Sequence, residues 1–354
     1  MSRIRVRALY TRYAHFGPYA GFHQVFRHLS TPHIAVDATP VRDGTLIDAA
    51  LQVVSRVPRR SWYKSADLAA ELTLAFGALT NRFDIVHYLD GEHSLGFFPR
   101  FARARRSAAR IIGTFHQPPE MLQGLVSRDA VAALDLVMVM SPTQEAFFRN
   151  WLPPERVRTF LHGVETDFFR PAAAASPRST FRCVTVGHWL RDWPAIGAVM
   201  DRLRADTTME FHVVTNRETG LEGRDRIVMH RRVSDEELLR LYQTSDLLLL
   251  PLTSATANNS LLEGLACGLP IVSTDTPAVR AYVGEGTAAL VAGNRPDALA
   301  DAIVAIREDG DRRAEMGRAA RARAETLSWP KRTAALVEIY EELALREQTS
   351  SAAS

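Results

Sequence analysis

The chain has 354 residues, enough for two domains of ordinary size, and its 46% apolar and 23% charged residues exclude a disordered or fibrous protein. Two cysteines, Cys183 and Cys267, are too few for a disulfide framework or a cysteine-built zinc site, so a reducing, cytoplasmic compartment is the expectation. No run approaches the roughly 20 apolar residues of a membrane-crossing helix, the N-terminal segment does not read as a signal peptide, and a net charge of +3 gives no argument for nucleic acid.

In chain order, β-rich segments fall at 4–10, 33–39, 84–89, 110–116, 136–141 and 158–162, then at 182–187, 209–215, 226–231, 247–252, 270–274 and 288–292. Several are continuous apolar runs, such as VMVM and LLLLPL, the pattern of parallel strands covered on both faces. Helical patterns lie between them; SDEE at 234–237 is a capping box, and Gly268 with Pro270 stops the helix that ends at Cys267. Alternation of strand and helix, twice over, predicts two doubly wound α/β domains. The small, polar stretch 171–179 reads as the linker between them, and 347–354 as a frayed tail. Two such sheets set carboxyl end to carboxyl end would hold a ligand in the cleft between them.

The most specific stretch is DLLLLPLTSATANNSLLEGLACGLPIVSTD at 246–275. It reads as a buried strand, a small polar loop and a helix starting near Asn259 or Ser260. Asn258, Asn259 and Ser260 are capping residue types, so the free amides and dipole of this helix would suit a diphosphate. Glu263, one turn in, could accept hydrogen bonds from two ribose hydroxyls. The residues alone leave a second reading open, in which Asn258 to Ser260 only cap the helix and Glu263 faces solvent.

This stretch resembles the donor-binding signature of retaining glycosyltransferases of family 4, which have the GT-B fold. Other segments resemble family motifs in the same order: DIVH at 84–87, GTFHQ at 113–117, VMSPTQE at 139–145, HGVETDFFRP at 162–171, VSDEEL at 233–238, and SW at 328–329 before an amphipathic helix. The resemblance implies an α/β GT-B architecture of two Rossmann-like domains facing across a cleft. An acceptor-side domain would span 1–170 and a nucleotide-sugar domain 180–328, with a helix at 329–346 crossing back onto the first. It further implies transfer with retention of configuration from a UDP- or GDP-sugar to a hydroxyl of a glycan, lipid or small metabolite. That chemistry needs no metal and no cofactor, the nucleotide sugar being a substrate.

Two departures from the family pattern stand out. Ala255 occupies the place of the first glutamate of the signature pair, which in the family contacts the transferred sugar. The phosphate loop reads GHWLRDW at 187–193, with His188 at the family's arginine position and Trp193 near its lysine position. Arg191 is then the nearby fixed cation, expected either to meet the diphosphate or to pair with Asp192 or another carboxylate. Gly187, His188, Val233, Asn258, Asn259, Ser260 and Glu263 complete the expected donor set, with Gly21 from a glycine turn at 16–21 in which Ala20 replaces the family's first glycine.

By the same resemblance His116, at a strand end, belongs beside the donor sugar and acts with Arg191 in catalysis. Tyr19, Asp90, Glu92 and His93 are the candidates for holding the acceptor. His87 and the last three form a polar cluster whose spacing fits no strong metal motif. Residues 1–170 carry a balance of +6 and the remainder −3. The basic concentrations at 56–64 and 100–110 are either a solvated face or a contact with an anionic membrane. Two other functions stay open: a nucleotide-sugar epimerase of the same fold, and an impaired nucleotide-sugar-binding protein suggested by Ala255 and His188.

Overall fold

The computed structural model describes residues 3–11, 17–41, 62–80, 82–173 and 179–351, with side chains to 345. Phe16 of the glycine turn, 56–61 of the first basic concentration, 174–178 of the linker and the end of the tail lie outside the described residues. By internal contacts the chain divides into two units. One comprises Met1–Phe16, Phe22–Leu161 and Pro330–Ser354; the other comprises Gly17–Gly21 and His162–Trp329.

The first unit holds a six-stranded parallel sheet of β1 (Ile4–Thr11), β2 (Ile34–Val41), β3 (Ile85–Tyr88), β4 (Arg110–Phe115), β5 (Leu136–Val139) and β6 (Val157–Thr159). Their order is β2-β1-β3-β4-β5-β6. Strands β3 and β5 are buried at every position, as strands covered by helices on both faces must be. The core runs through Leu9, Val86, Tyr88, Ile111, Phe115, Val137 and Phe148. The helix Trp329–Ser351 packs here: the Thr333 hydroxyl donates to Val25 O at 2.6 Å and Tyr340 Oη lies 2.7 Å from His87 Nδ1.

The second unit holds β7 (Phe181–Val186), β8 (Met209–Val214), β9 (Ile227–His230), β10 (Leu247–Leu250), β11 (Ile271–Thr274) and β12 (Ala288–Val291), again all parallel. Their order is β12-β11-β10-β7-β8-β9. Each of the twelve expected strands forms within a few residues of its expected span.

The division falls at His162, not at Pro171. Residues 162–170 join the second unit through side-chain and main-chain contacts: Tyr282 Oη accepts the His162 N–H at 3.0 Å, Val164 forms a main-chain bridge with Ser328, and Phe169 meets Tyr242 edge-on.

In the second sheet the chain leaves β7 toward β8 on one side and returns to β10 on the other. The loops following β7 and β10 therefore leave from adjacent strand ends, the switch point where open α/β sheets bind ligands. In the first sheet the corresponding place lies between β1 and β3.

Candidate functional site

At the switch point of the second unit the two loops are zipped together. Arg191 pairs with Leu252 in an antiparallel bridge, Thr253 N–H donates to Leu190 O at 3.0 Å, and Asp192 N–H donates to Pro251 O at 3.0 Å. From this base rises the helix Asn259–Ala266. Asn258 is its N-cap: its Oδ1 accepts the Leu261 N–H at 3.1 Å and its main-chain carbonyl accepts Leu262 N–H at 3.1 Å. The amides of Asn259 and Ser260 are left as first-turn donors with no acceptor among the described residues. Asn258 and Asn259 are half-buried, and Ser260 is buried. Asn258 is thus a cap, which the two readings of this turn share.

Gly187 turns the chain out of β7 at φ +84°, where a Cβ would stand 2.7 Å from Arg191 Nη2. Its amide does not join the donor group: it completes the ladder to Val214 O at 2.9 Å.

Arg191 sits where expected, but its guanidinium is turned inward. Nε and Nη2 donate to Val186 O at 2.9 and 2.7 Å, Nη1 to Trp189 O at 2.8 Å, and Nη2 to Ser260 Oγ at 3.1 Å. Val186 O ends β7 and Trp189 O lies in the loop beyond it, and this one side chain satisfies both. It does not pair with Asp192, whose Oδ1 instead caps the helix Trp193–Leu203 through Ala195 N–H and whose Oδ2 accepts from Asn294. Burial pulls the Arg191 guanidinium down to about 10, against the pull of Tyr242 and Glu263. Trp193 opens that helix and packs on the second core, while His188 is exposed.

Glu263 is buried, contrary to the solvent-facing alternative. Tyr242 Oη donates to its Oε2 at 2.8 Å. Burial pushes the carboxyl up to about 7, the Tyr242 bond works against it, and Asp235 adds to it. Asp235 belongs to the helix Asp235–Gln243, capped as read by Ser234 and Glu237, with Val233 half-buried just before it. Asp235 also accepts the main-chain N–H of Tyr19.

The loop Gly17–Gly21 thus belongs to the second unit. A Cβ on Gly17 would collide with the Asp235 carboxylate, and Gly21 adopts φ +95°. Tyr19 stacks on Phe168 with ring centroids 3.8 Å apart. Tyr19 therefore groups with Phe168 and Asp235 of the second unit, whereas Asp90, Glu92 and His93 lie in the first.

In the first unit those three residues gather with His116 at the carboxyl ends of β1, β3 and β4. His116 Nε2 lies 2.7 Å from Leu89 O and 3.9 Å from Asp90 Oδ1. The Glu92 carboxylate accepts the His116 N–H at 3.1 and 3.3 Å, and Asp90 Oδ2 accepts the Thr11 N–H at 2.7 Å. His93 stacks on Trp62. Burial raises the Glu92 carboxyl to about 7 and the Asp90 carboxyl as well, and lowers His93 to about 4. Asp90 and Glu92 therefore act first as braces for the loop bearing His116. Both nitrogens of His87 are occupied, by Tyr340 and Thr114 at 2.7 Å each, which removes it from any metal reading.

Sequence reasoning missed Glu71. It is fully buried on the helix Ser65–Leu79, accepting from Tyr63 Oη, Tyr88 Oη, Gly96 N–H and Phe97 N–H at 2.7 to 2.9 Å. With Asp67, which takes Ser94 Oγ and Lys64 N–H, it anchors the segment that carries Glu92 and His93. The one available signal is the pair of carboxylates four residues apart on a helix otherwise rich in alanine and leucine.

Comparison with known proteins finds likenesses in sequence and in fold. Residues 190–309 match the family described as glycosyl transferases group 1. The fold is that of the GT-B glycosyltransferases. Sucrose-phosphate synthase from Thermosynechococcus elongatus superposes with a TM-score of 0.75 at 17% identity, over 96% of this chain and 99% of that one. The HepE protein of Anabaena in complex with UDP-glucose gives 0.68 at 14% identity, over 96% and 100%.

Among curated relatives, D-inositol 3-phosphate glycosyltransferase of Paenarthrobacter aurescens is 33% identical over 118 residues, covering 33% of this chain and 29% of that protein. The chain matches about three tenths of the length of such relatives. The match to the group 1 glycosyl transferases spans Arg191, Val233, Asn258 to Ser260 and Glu263.

Proposed function

We propose that the protein is a retaining glycosyltransferase that moves a sugar from UDP- or GDP-sugar to a hydroxyl of a glycan, lipid or small-metabolite acceptor. The observation that carries this reading is the pair of unclaimed amides, Asn259 and Ser260, at the N-terminus of an eight-residue helix on the switch point of the second sheet. Its support is the group 1 match over the same residues.

In the proposed reaction the bond from the anomeric carbon to the diphosphate breaks and a bond to the acceptor oxygen forms on the same face. The acceptor proton passes to the departing phosphate, so the chain supplies no nucleophile. What it supplies is orientation and charge compensation fixed before the reaction. The amides of Asn259 and Ser260 and the helix dipole would receive the growing phosphate charge. Glu263, held by Tyr242 through one oxygen, would offer the other to the ribose.

Arg191, which holds the Val186 carbonyl and Ser260 Oγ, is proposed to act as a positioning residue. His116, braced by Leu89 O and Glu92, is proposed to act on the transferring sugar.

A thermal-shift panel of UDP- and GDP-sugars tests the reading, because a ligand of the folded state raises the unfolding midpoint, by about 2.7 kcal/mol of stabilisation at a hundredfold excess over Kd. A shift with at least one donor, followed by acceptor-dependent release of nucleotide, is the expected result. A shift without transfer or hydrolysis across an acceptor panel would select the second reading, a nucleotide-sugar-binding protein, which Ala255 in place of the signature glutamate favours. Free epimerised sugar without acceptor would select an epimerase, and no shift with any donor would reject all three.

A further inference from the structure

The main chain on both sides of His116 is gripped by one side chain from a helix elsewhere in the first unit. Gln144 is the third residue of the helix Pro142–Arg149, which follows β5, and it is fully buried. Its Nε2 donates to Phe115 O at 3.0 Å and to Gln117 O at 2.8 Å, the carbonyls that flank His116. Its Oε1 accepts the Met140 N–H at 2.8 Å, just past the end of β5. Both hydrogens of this amide and its oxygen are thus spent on main-chain groups.

This grip meets a second one. The peptide group joining Phe115 to His116 has its carbonyl on Gln144 and its N–H on the Glu92 carboxylate at 3.1 Å. The plane of the peptide that leads into His116 is therefore fixed from both ends. The Gln117 carbonyl is held by the same amide, so the chain cannot swing about His116 without breaking a buried bond. On the ring, Nε2 lies 2.7 Å from Leu89 O. A carbonyl only accepts, so Nε2 carries the hydrogen, and in the neutral ring Nδ1 is the basic nitrogen.

Few side chains can do this. Glutamate would set carboxylate oxygens against two carbonyls and lose both donors. Methionine has the length but no donor, and asparagine keeps the amide but is one methylene short.

We propose that Gln144 is a positioning residue for His116: it fixes the main chain on which the imidazole is mounted, and with it the placement and tautomer of the ring during sugar transfer. The effect on turnover rests on the glycosyltransferase reading and on the role proposed there for His116. The effect on the ring stands without either.

Nitrogen-15 NMR of the histidine rings in the full chain reads the ring directly, with His116 assigned through His116→Ala. The wild-type chain should show His116 as the single Nε2–H tautomer. Gln144→Met should move that signal toward a mixture of tautomers while circular dichroism stays that of wild type. Where Gln144→Met does not fold, Gln144→Asn, which keeps a buried amide without its reach, carries the same comparison. A mixed tautomer in wild type, or an unmoved His116 signal in a folded variant, would overturn the proposal.

The kinetic arm uses the UDP- or GDP-sugar that raises the melting midpoint and an acceptor that releases its nucleotide. Gln144→Met should lower kcat about 10- to 100-fold and leave the donor Kd within about twofold of wild type. In the His116→Ala background the same change should lower kcat no further, because the ring it places is gone. Losses that multiply in the double variant, or a donor Kd weakened as much as kcat falls, would leave Gln144 a purely structural residue. Absence of transfer with every donor and acceptor would reject the glycosyltransferase reading, while the ring signals still decide what Gln144 positions.

Discussion

Single side chains in this protein do their work through the carbonyls and amides that strand ends and helix ends leave over. Arg191 stands beside the glycine turn as the sequence indicates, but its contacts were not legible there. A cation beside a glycine turn was legible, but the two carbonyls it must satisfy exist only once β7 ends beside β10. Arg191→Ala should therefore destabilise the fold, by on the order of 3 kcal/mol, because it strands buried acceptors. Arg191→Lys should rescue little, lacking the planar fork. Urea unfolding checks this; wild-type stability combined with a pure loss of turnover would instead mean direct contact with phosphate.

Glu263 makes a pH prediction. Its carboxyl is raised to about 7 in the folded chain against roughly 4.3 unfolded, so its contribution to stability is fully present below about pH 4 and is lost as pH rises through 7. Glu263→Gln, which keeps an acceptor for Tyr242, should gain on the order of 1–3 kcal/mol relative to wild type at pH 8 and little at pH 5. An equal difference at both pH values would contradict this account.

At the scale of elements, the strands were the most legible feature, because unbroken runs such as LLLL at β10 and LVMV at β5 suit only positions buried on both faces. The short Gly91–Ser94 helix was not, since it is held by distant partners: Asp67 takes Ser94 Oγ, and Glu71 takes the Gly96 and Phe97 amides that follow it. Nothing local in that segment signals them. Removing this anchor with Glu71→Ala should cost about 3–5 kcal/mol, since two tyrosine hydroxyls and two amides lose their acceptor together. It should also lower turnover more than donor affinity, because the affected segment leads to His116. Paired measurements of unfolding free energy and donor Kd check this, and a loss of donor affinity equal to the loss of turnover would argue against it.

The chain as a whole consists of two cores, one around Val86, Phe115 and Val137 and the other around Val184's neighbours Cys183, Phe211 and Leu249. Two α/β sheets could be read from the order of elements. The placement of 162–170 and of Gly17–Gly21 with the second core could not, since it depends on tertiary contacts with Tyr282, Ser328 and Asp235. In hydrogen exchange, a bound UDP- or GDP-sugar should slow exchange around the Asn259–Ala266 helix and leave Ser65–Leu79 unchanged. Protection confined to the first unit would relocate the donor.

The measurement closest to the central claim removes one amide and little else. Asn259 is the first residue of its helix, where proline is well accommodated, and Asn258 at φ −135° and ψ 112° already has the backbone that precedes proline. Asn259→Pro should keep the wild-type melting temperature and weaken donor binding by about 10- to 150-fold in calorimetry, while Asn259→Ala, which retains the N–H, should bind nearly as wild type does. Equal donor affinity for the proline and alanine variants would show that the helix amide does not hold the diphosphate.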